Sequence, residues 1–213
     1  TYVWQATGQV SITNRGGWSD DVDFTWETPG AKTITVTVTN PYGSATGTRT
    51  VEVREGVSAT FDPVAGGTLV YTDTLGRVTI IEVPASALYN TTTFSYTFAS
   101  APAQGYGDLL FAGRAFDLES SIGLASGGGL TATLSYRDED LTAAGIEDEN
   151  DLFLYYWTGS AWEDVAATCT PTSVYHRDTA ENRLSVRFCH LTSFGLFGGE
   201  AGYELYLPLI MKD

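Results

Sequence analysis

The chain is poor in most of the residues that carry catalysis and metal chemistry. Its 213 residues include two cysteines, two histidines, two lysines and one methionine. His176 and His190 stand without ligand spacing to either cysteine, which argues against a zinc site. No Gly-x-Ser-x-Gly elbow, phosphate-binding loop or dinucleotide fingerprint is present, and Gly127-Gly-Gly129 reads as a turn. No apolar run approaches the ~20 residues of a membrane helix, so membrane insertion is not expected. Basic residues are scarce, 11 against 26 acidic, for a net charge of −15. Most of the imbalance lies in residues 57–199, with 6 basic and 17 acidic side chains. With no basic patch to release counterions from phosphates, nucleic acid is not an expected partner. The chain starts at Thr1 without a basic leader, and the expectation is a processed or trimmed product.

What is present has a period of two. In Thr33-Ile-Thr-Val-Thr-Val-Thr39, Ile34, Val36 and Val38 share one face and threonines the other, the pattern of a half-buried antiparallel strand. Asn40-Pro-Tyr-Gly43 supplies a turn, and Thr46 to Val53 returns as the partner strand. Val22-Asp-Phe-Thr-Trp26 alternates in the same way, so about five strands are predicted in residues 1–55, where a complete sandwich has about seven. Beyond Gly56, short strands are predicted from Val78 toward Leu88, and over 94–98, 109–116, 130–136, 152–157, 162–165, 184–189 and 194–197. Asp138 to Ile146 is the one helical candidate, with Asp138 as its N-cap. The fold class is all-β.

Cys169 and Cys189 lie 20 apart in what read as neighbouring strands. In a threonine-, glycine- and tyrosine-rich, lysine-poor chain they are expected to form an extracellular disulfide, with two buried free thiols as the alternative. Asn90-Thr-Thr92 fits the N-glycosylation pattern.

Tyr2-Val-Trp4, Phe24-Thr-Trp26, Pro29-Gly30 and Thr33 through Asn40-Pro-Tyr-Gly43 resemble a PKD-type, immunoglobulin-like module of bacterial surface proteins. The resemblance covers the last two thirds of such a module, in residues 1–56, and implies that its first strands are missing. Val83-Pro-Ala-Ser-Ala-Leu88, Leu152-Phe-Leu-Tyr-Tyr-Trp-Thr-Gly-Ser-Ala-Trp162 and Cys189-His-Leu-Thr-Ser-Phe194 resemble a ZU5-like β-sandwich of secreted bacterial proteins, in residues 57–199. Residues 200–213 form a third segment, whose Tyr206-Leu-Pro-Leu-Ile210 looks like a C-terminal signature of some secreted bacterial proteins.

Two chemical readings stand beside this. His190-Leu-Thr192 resembles the self-cleavage step of GAIN domains, which implies a His190 base and a Thr192 hydroxyl attacking the Leu191–Thr192 bond. The spacing of the cysteines departs from that pattern, and a structural role for both residues is the preferred alternative. Asp138-Glu-Asp140 and Glu147-Asp-Glu-Asn-Asp151 place seven carboxylates within fourteen residues. Asp138, Asp140, Asp148 and Asp151 are the candidate Ca²⁺ ligands, against a preferred reading as a solvated acidic loop. Tyr155, Tyr156, Trp157 and Trp162 offer a sugar platform or, preferred, a packed core. Catalysis is not expected.

In the tail, Leu205, Leu207, Leu209 and Met211 share one face, and Pro208 confines the strand to one-sided pairing. Burying those four side chains is worth about 6–10 kcal/mol before chain entropy is counted. The expected function is an extracellular structural subunit of a surface filament. The tail is expected to donate its strand to Trp26, Ile34, Val36 and Val38 of a neighbouring copy, in a homopolymer or with other surface-protein modules. For the tail itself the alternatives are packing in cis as the last strand of residues 57–198 or service as a sorting signal read by secretion machinery. The alternative is a non-catalytic stalk or adhesion module of a large secreted enzyme or adhesin.

Overall fold

A computed structural model describes residues 1–125 and 127–199. The expected donor residues Leu205, Leu207, Leu209 and Met211 lie outside the described residues. The chain is mainly β, with antiparallel pairing throughout its three sheets and one short helix among the described residues. It divides into two compact units, Thr1–Glu55 and Gly56–Asp213.

The first unit is one sheet of four strands: β1 (Tyr2–Ala6), β2 (Ile12–Asn14), β3 (Gly30–Asn40) and β4 (Gly43–Val53), in the order β2-β1-β3-β4. The long strands arise from the uninterrupted Thr/Ile/Val alternation of residues 33–39, which suits a pleated half-buried surface. The turn at Asn40 is pinned by the Asn40 carboxamide, which accepts from the Tyr42 amide at 2.8 Å. Four strands form here, not five. Val22 to Trp26 keeps its alternation of half-buried and exposed residues but joins no ladder. It lies over the sheet as an extended segment, held by side chains.

The second unit begins with β5 (Gly56–Phe61), β6 (Gly67–Thr72), β7 (Val78–Val83), β8 (Thr92–Ala99), β9 (Leu110–Ser120) and β10 (Leu130–Ser135). After helix α1 (Asp138–Ala144) come β11 (Leu152–Trp157), β12 (Trp162–Asp164), β13 (His176–Asp178), β14 (Arg183–Phe188) and β15 (Ser193–Gly198). They form a five-stranded sheet, β13-β14-β10-β7-β6, and a six-stranded sheet, β12-β11-β15-β9-β8-β5. The two sheets share one core: Leu69, Ile81, Leu134 and Val186 from the first meet Phe94, Leu118 and Leu154 from the second. A run of rings crosses it, Tyr71, Tyr96, Phe116, Phe194 and Phe188, with successive centroids 4.8, 4.9, 5.0 and 5.2 Å apart.

Two local readings are corrected. The N-cap of α1 is Arg137, without a side-chain cap, and Asp138 is the first helical residue. Its carboxylate accepts from Asn182 instead, at 2.7 Å. Gly145 ends the helix in the left-handed conformation, at φ 74°. The Cys169–Cys189 disulfide forms, with Cα atoms 5.1 Å apart. It ties the end of a 3₁₀ turn, Val165–Thr168, to the end of β14, not one strand to another.

Candidate functional site

The first unit has an unusual distribution of apolar surface. On one face, Ile34, Val36 and Val38 of β3 align with Ala6, Trp4 and Tyr2 of β1 and with Arg49, Gly47 and Ala45 of β4. Every one of these apolar side chains is half-buried or exposed, and no residue of 1–55 reaches full burial. The opposite face carries threonines, with the Thr35–Thr48 and Thr37–Thr46 hydroxyl pairs at 3.2 and 3.1 Å.

The segment between β2 and β3 is hydrogen-bonded to one side of this sheet. The Trp4 indole donates to Asp20 at 2.7 Å and the Asn14 carboxamide to the same carboxylate at 3.0 Å. The Gln9 carboxamide donates to the Thr25 carbonyl and the Trp26 indole to the Thr7 carbonyl, both at 2.7 Å. These bonds tie the segment to β1, β2 and the turn between them. Of the four acceptor residues named from the sequence, Ile34, Val36 and Val38 therefore form a single row. Trp26 is anchored at the end of β1, where its ring meets Phe24 at 6.0 Å. Beside the row, Ala45 and Gly47 leave a shallow, exposed trough on β4. A Cβ added at Gly47 meets only Val36, at 3.8 Å.

β4 is also an edge, with no strand on its outer side among the described residues. The Thr39 amide donates to the Thr1 carbonyl and the Thr7 amide to the Thr33 carbonyl. Odd-numbered β3 residues thus face β1, and even-numbered ones bond Ala45, Gly47 and Arg49. Ser44, Thr46, Thr48 and Thr50 accordingly turn their amides and carbonyls to the open edge. The run of small residues Gly43-Ser-Ala-Thr-Gly47 was the sequence signal for this trough, and composition alone does not distinguish it from a loop.

The other candidates occupy the second unit. The Thr192 hydroxyl donates to the Trp157 carbonyl at 3.1 Å, and the His190 ring packs against Tyr156 at 5.3 Å. His190 also lines a cavity of about 510 Å³ with Cys189, Leu124, Ala125, Gly127 and Gly128. The acidic residues disperse. Asp140 serves Arg77 and Arg137 at 3.0 and 2.7 Å, and Asp148 caps a 3₁₀ turn through the Asn150 amide at 2.8 Å. Asp151 gives its main-chain carbonyl to Gly199. Among the described residues no group of three or more His, Cys, Asp or Glu side chains could hold a metal ion.

The aromatic quartet divides. Tyr156 faces the core, whereas Tyr155 and Trp162 pack on the buried Phe197 ring on the outer face, at 5.6 and 5.2 Å, with Tyr106 and Phe111 beside them. Gly195 makes this packing feasible, since a Cβ there would lie 2.4 Å from the Phe197 ring.

Sequence reasoning missed a buried polar network. Arg77 bonds Asp73 at 2.7 Å, Asp140 at 3.0 Å and the Gly113 carbonyl at 2.9 Å. Burial works against the Asp73 charge, but hydrogen bonds and the positive charge of Arg77 outweigh it and hold the carboxyl below its ordinary range. The hydrogen bond from Arg137 leads the same effect at Asp140. Arg114 is 1% exposed, donates to the Ser135 carbonyl and to Thr79, and its affinity for the proton is lowered by burial. Tyr175 bonds Asp164 at 2.5 Å, and burial first, then that carboxylate, raise its pKa. These groups are enclosed and, apart from the buried Arg114 Nε, partnered, which is the arrangement of a structural network.

No protein-family model and no curated protein sequence matches the chain.

Proposed function

We propose that this chain is a non-catalytic extracellular structural protein that assembles by β-strand donation. Its first unit, a PKD-like module short of strands, is the acceptor. Its second, a ZU5-like sandwich, is the self-sufficient body, and the tail strand carrying Leu205, Leu207, Leu209 and Met211 is the donor. One observation carries this reading: a four-stranded sheet whose apolar face has no fully buried side chain and one of whose two eleven-residue strands, β4, is an open edge among the described residues. Such a face associates with something, because exposed apolar strands at a sheet edge are templates for pairing. The disulfide and the scarcity of lysine fit an oxidising, extracellular setting.

A second reading, a stalk or adhesion module of a larger secreted protein, draws support from the closed core of the second unit. Removal of residues 203–213 separates the two when particle size is followed by analytical ultracentrifugation. Donation is expected to give concentration-dependent oligomers that the deletion abolishes while the monomer stays folded. A full chain that is monomeric at every concentration favours the stalk.

A further inference from the structure

We infer that the donated strand, Tyr203 to Met211 of a second copy of the chain, docks on the outer edge of β4 and runs parallel to it. This rests on the donor-strand reading above and adds the edge and the direction of the donor.

The edge follows from the coverage of the sheet. β2 is three residues long, and the bonds from Trp4, Asn14, Gln9 and Trp26 hold the segment between β2 and β3 on its side. β4 offers eleven residues, and Gly43 to Thr50 are all exposed. A nine-residue donor at ~3.3 Å per residue matches that length.

The direction follows from two constraints in the donor sequence. Its leucines occupy odd positions and must lie on the apolar face, beside Ala45 and Gly47. Pro208 occupies an even position and has no N–H, so even positions must turn their backbone away from β4. Odd positions then both bond β4 and carry the leucines. On β4 the residues that present their backbone to the edge are Ser44, Thr46, Thr48 and Thr50, on the threonine face. In an antiparallel ladder, residues whose backbones bond each other stand opposite and share a face. That pairing puts the leucines among the threonines, or else turns Pro208 toward β4 and forfeits a bond. In a parallel ladder each residue bonds the two neighbours of the one opposite, so bonding residues of the two strands lie on opposite faces. Only the parallel arrangement meets both constraints.

The source is the second copy that the assembly reading above requires, and head-to-tail repetition gives an open fibre.

Spin labels on the full-length chain test this. One population carries Lys212→Cys and the other Ser44→Cys or Glu52→Cys, the native cysteines being disulfide-bonded. Parallel pairing is expected to bring the Lys212 label close to the Glu52 label and to leave it about 27 Å from the Ser44 label. The reverse pattern overturns the direction while donation stands. A chain doubly labelled at Lys212 and either β4 position whose proximity survives dilution with excess unlabelled chain overturns the second-copy source. Absence of proximity in any pairing overturns donation itself. As an independent check, Pro208→Ala is expected to leave the assembly constant within about two-fold, since that backbone faces away from β4. An antiparallel ladder instead gains a bond and tightens about five-fold or more.

Discussion

Arg77 and Asp73 show how a single pair can set the behaviour of the second unit. Their side chains are 6% and 1% exposed. Removing one partner strands the other as a buried charge, so Arg77→Ala is expected to cost about 3–5 kcal/mol in urea unfolding. The pair also sets an acid limit. The Asp73 pKa is lowered on folding, so its stabilisation is complete above the unfolded value of ~3.9 and is lost as pH falls through the lower folded value. The contribution of Asp73 to the urea midpoint is accordingly expected to stay constant down to about pH 4. Asp73→Asn should lower it at neutral pH and flatten its decline in stronger acid. None of this network was visible in the sequence, because the Asp73–Arg77 pair, Arg114 and Asp140 are far apart in the chain and carry no periodic signal. Burial of an arginine is a property of the fold that surrounds it.

At the scale of elements, the strands that the sequence revealed are those with a clean alternation or a flanking turn. β3, its hairpin to β4 and the apolar strands of the second core belong here. β5 and β6 escaped notice because Val57, Ala59 and Phe61, and Leu69 and Tyr71, alternate over only six residues each, beside glycines that read as loop. Val22 to Trp26 failed in the opposite sense. Its alternation is real, but the side chains of Trp4, Gln9 and Trp26 hold it across the sheet where a ladder would have held it alongside. Periodicity reports which side of a segment is covered, not whether its backbone is paired. The disulfide links elements that were read as adjacent strands and are instead a 3₁₀ turn and a strand end. Closing a segment of about 20 residues, it is expected to contribute about 3 kcal/mol, measurable as the loss of unfolding free energy in Cys169→Ser/Cys189→Ser.

For the molecule as a whole, the two units contrast in how they satisfy their apolar surface. The second encloses rings and aliphatic side chains between two sheets. The first leaves Ile34, Val36 and Val38 half-covered beside an edge that is unpaired among the described residues. The strand count expected from the sequence was five where four form, and the hydrogen bonds of the segment between β2 and β3 lie toward β1 and β2, leaving β4 as the exposed side. Strand donation makes a direct demand on the β4 backbone. Amide hydrogen exchange of Ser44, Thr46, Thr48 and Thr50 in the full chain, at concentrations where it assembles, is the measurement that tests it. The account predicts that these four amides become protected on assembly and exchange freely in the chain lacking residues 203–213. Equally fast exchange in both would contradict it.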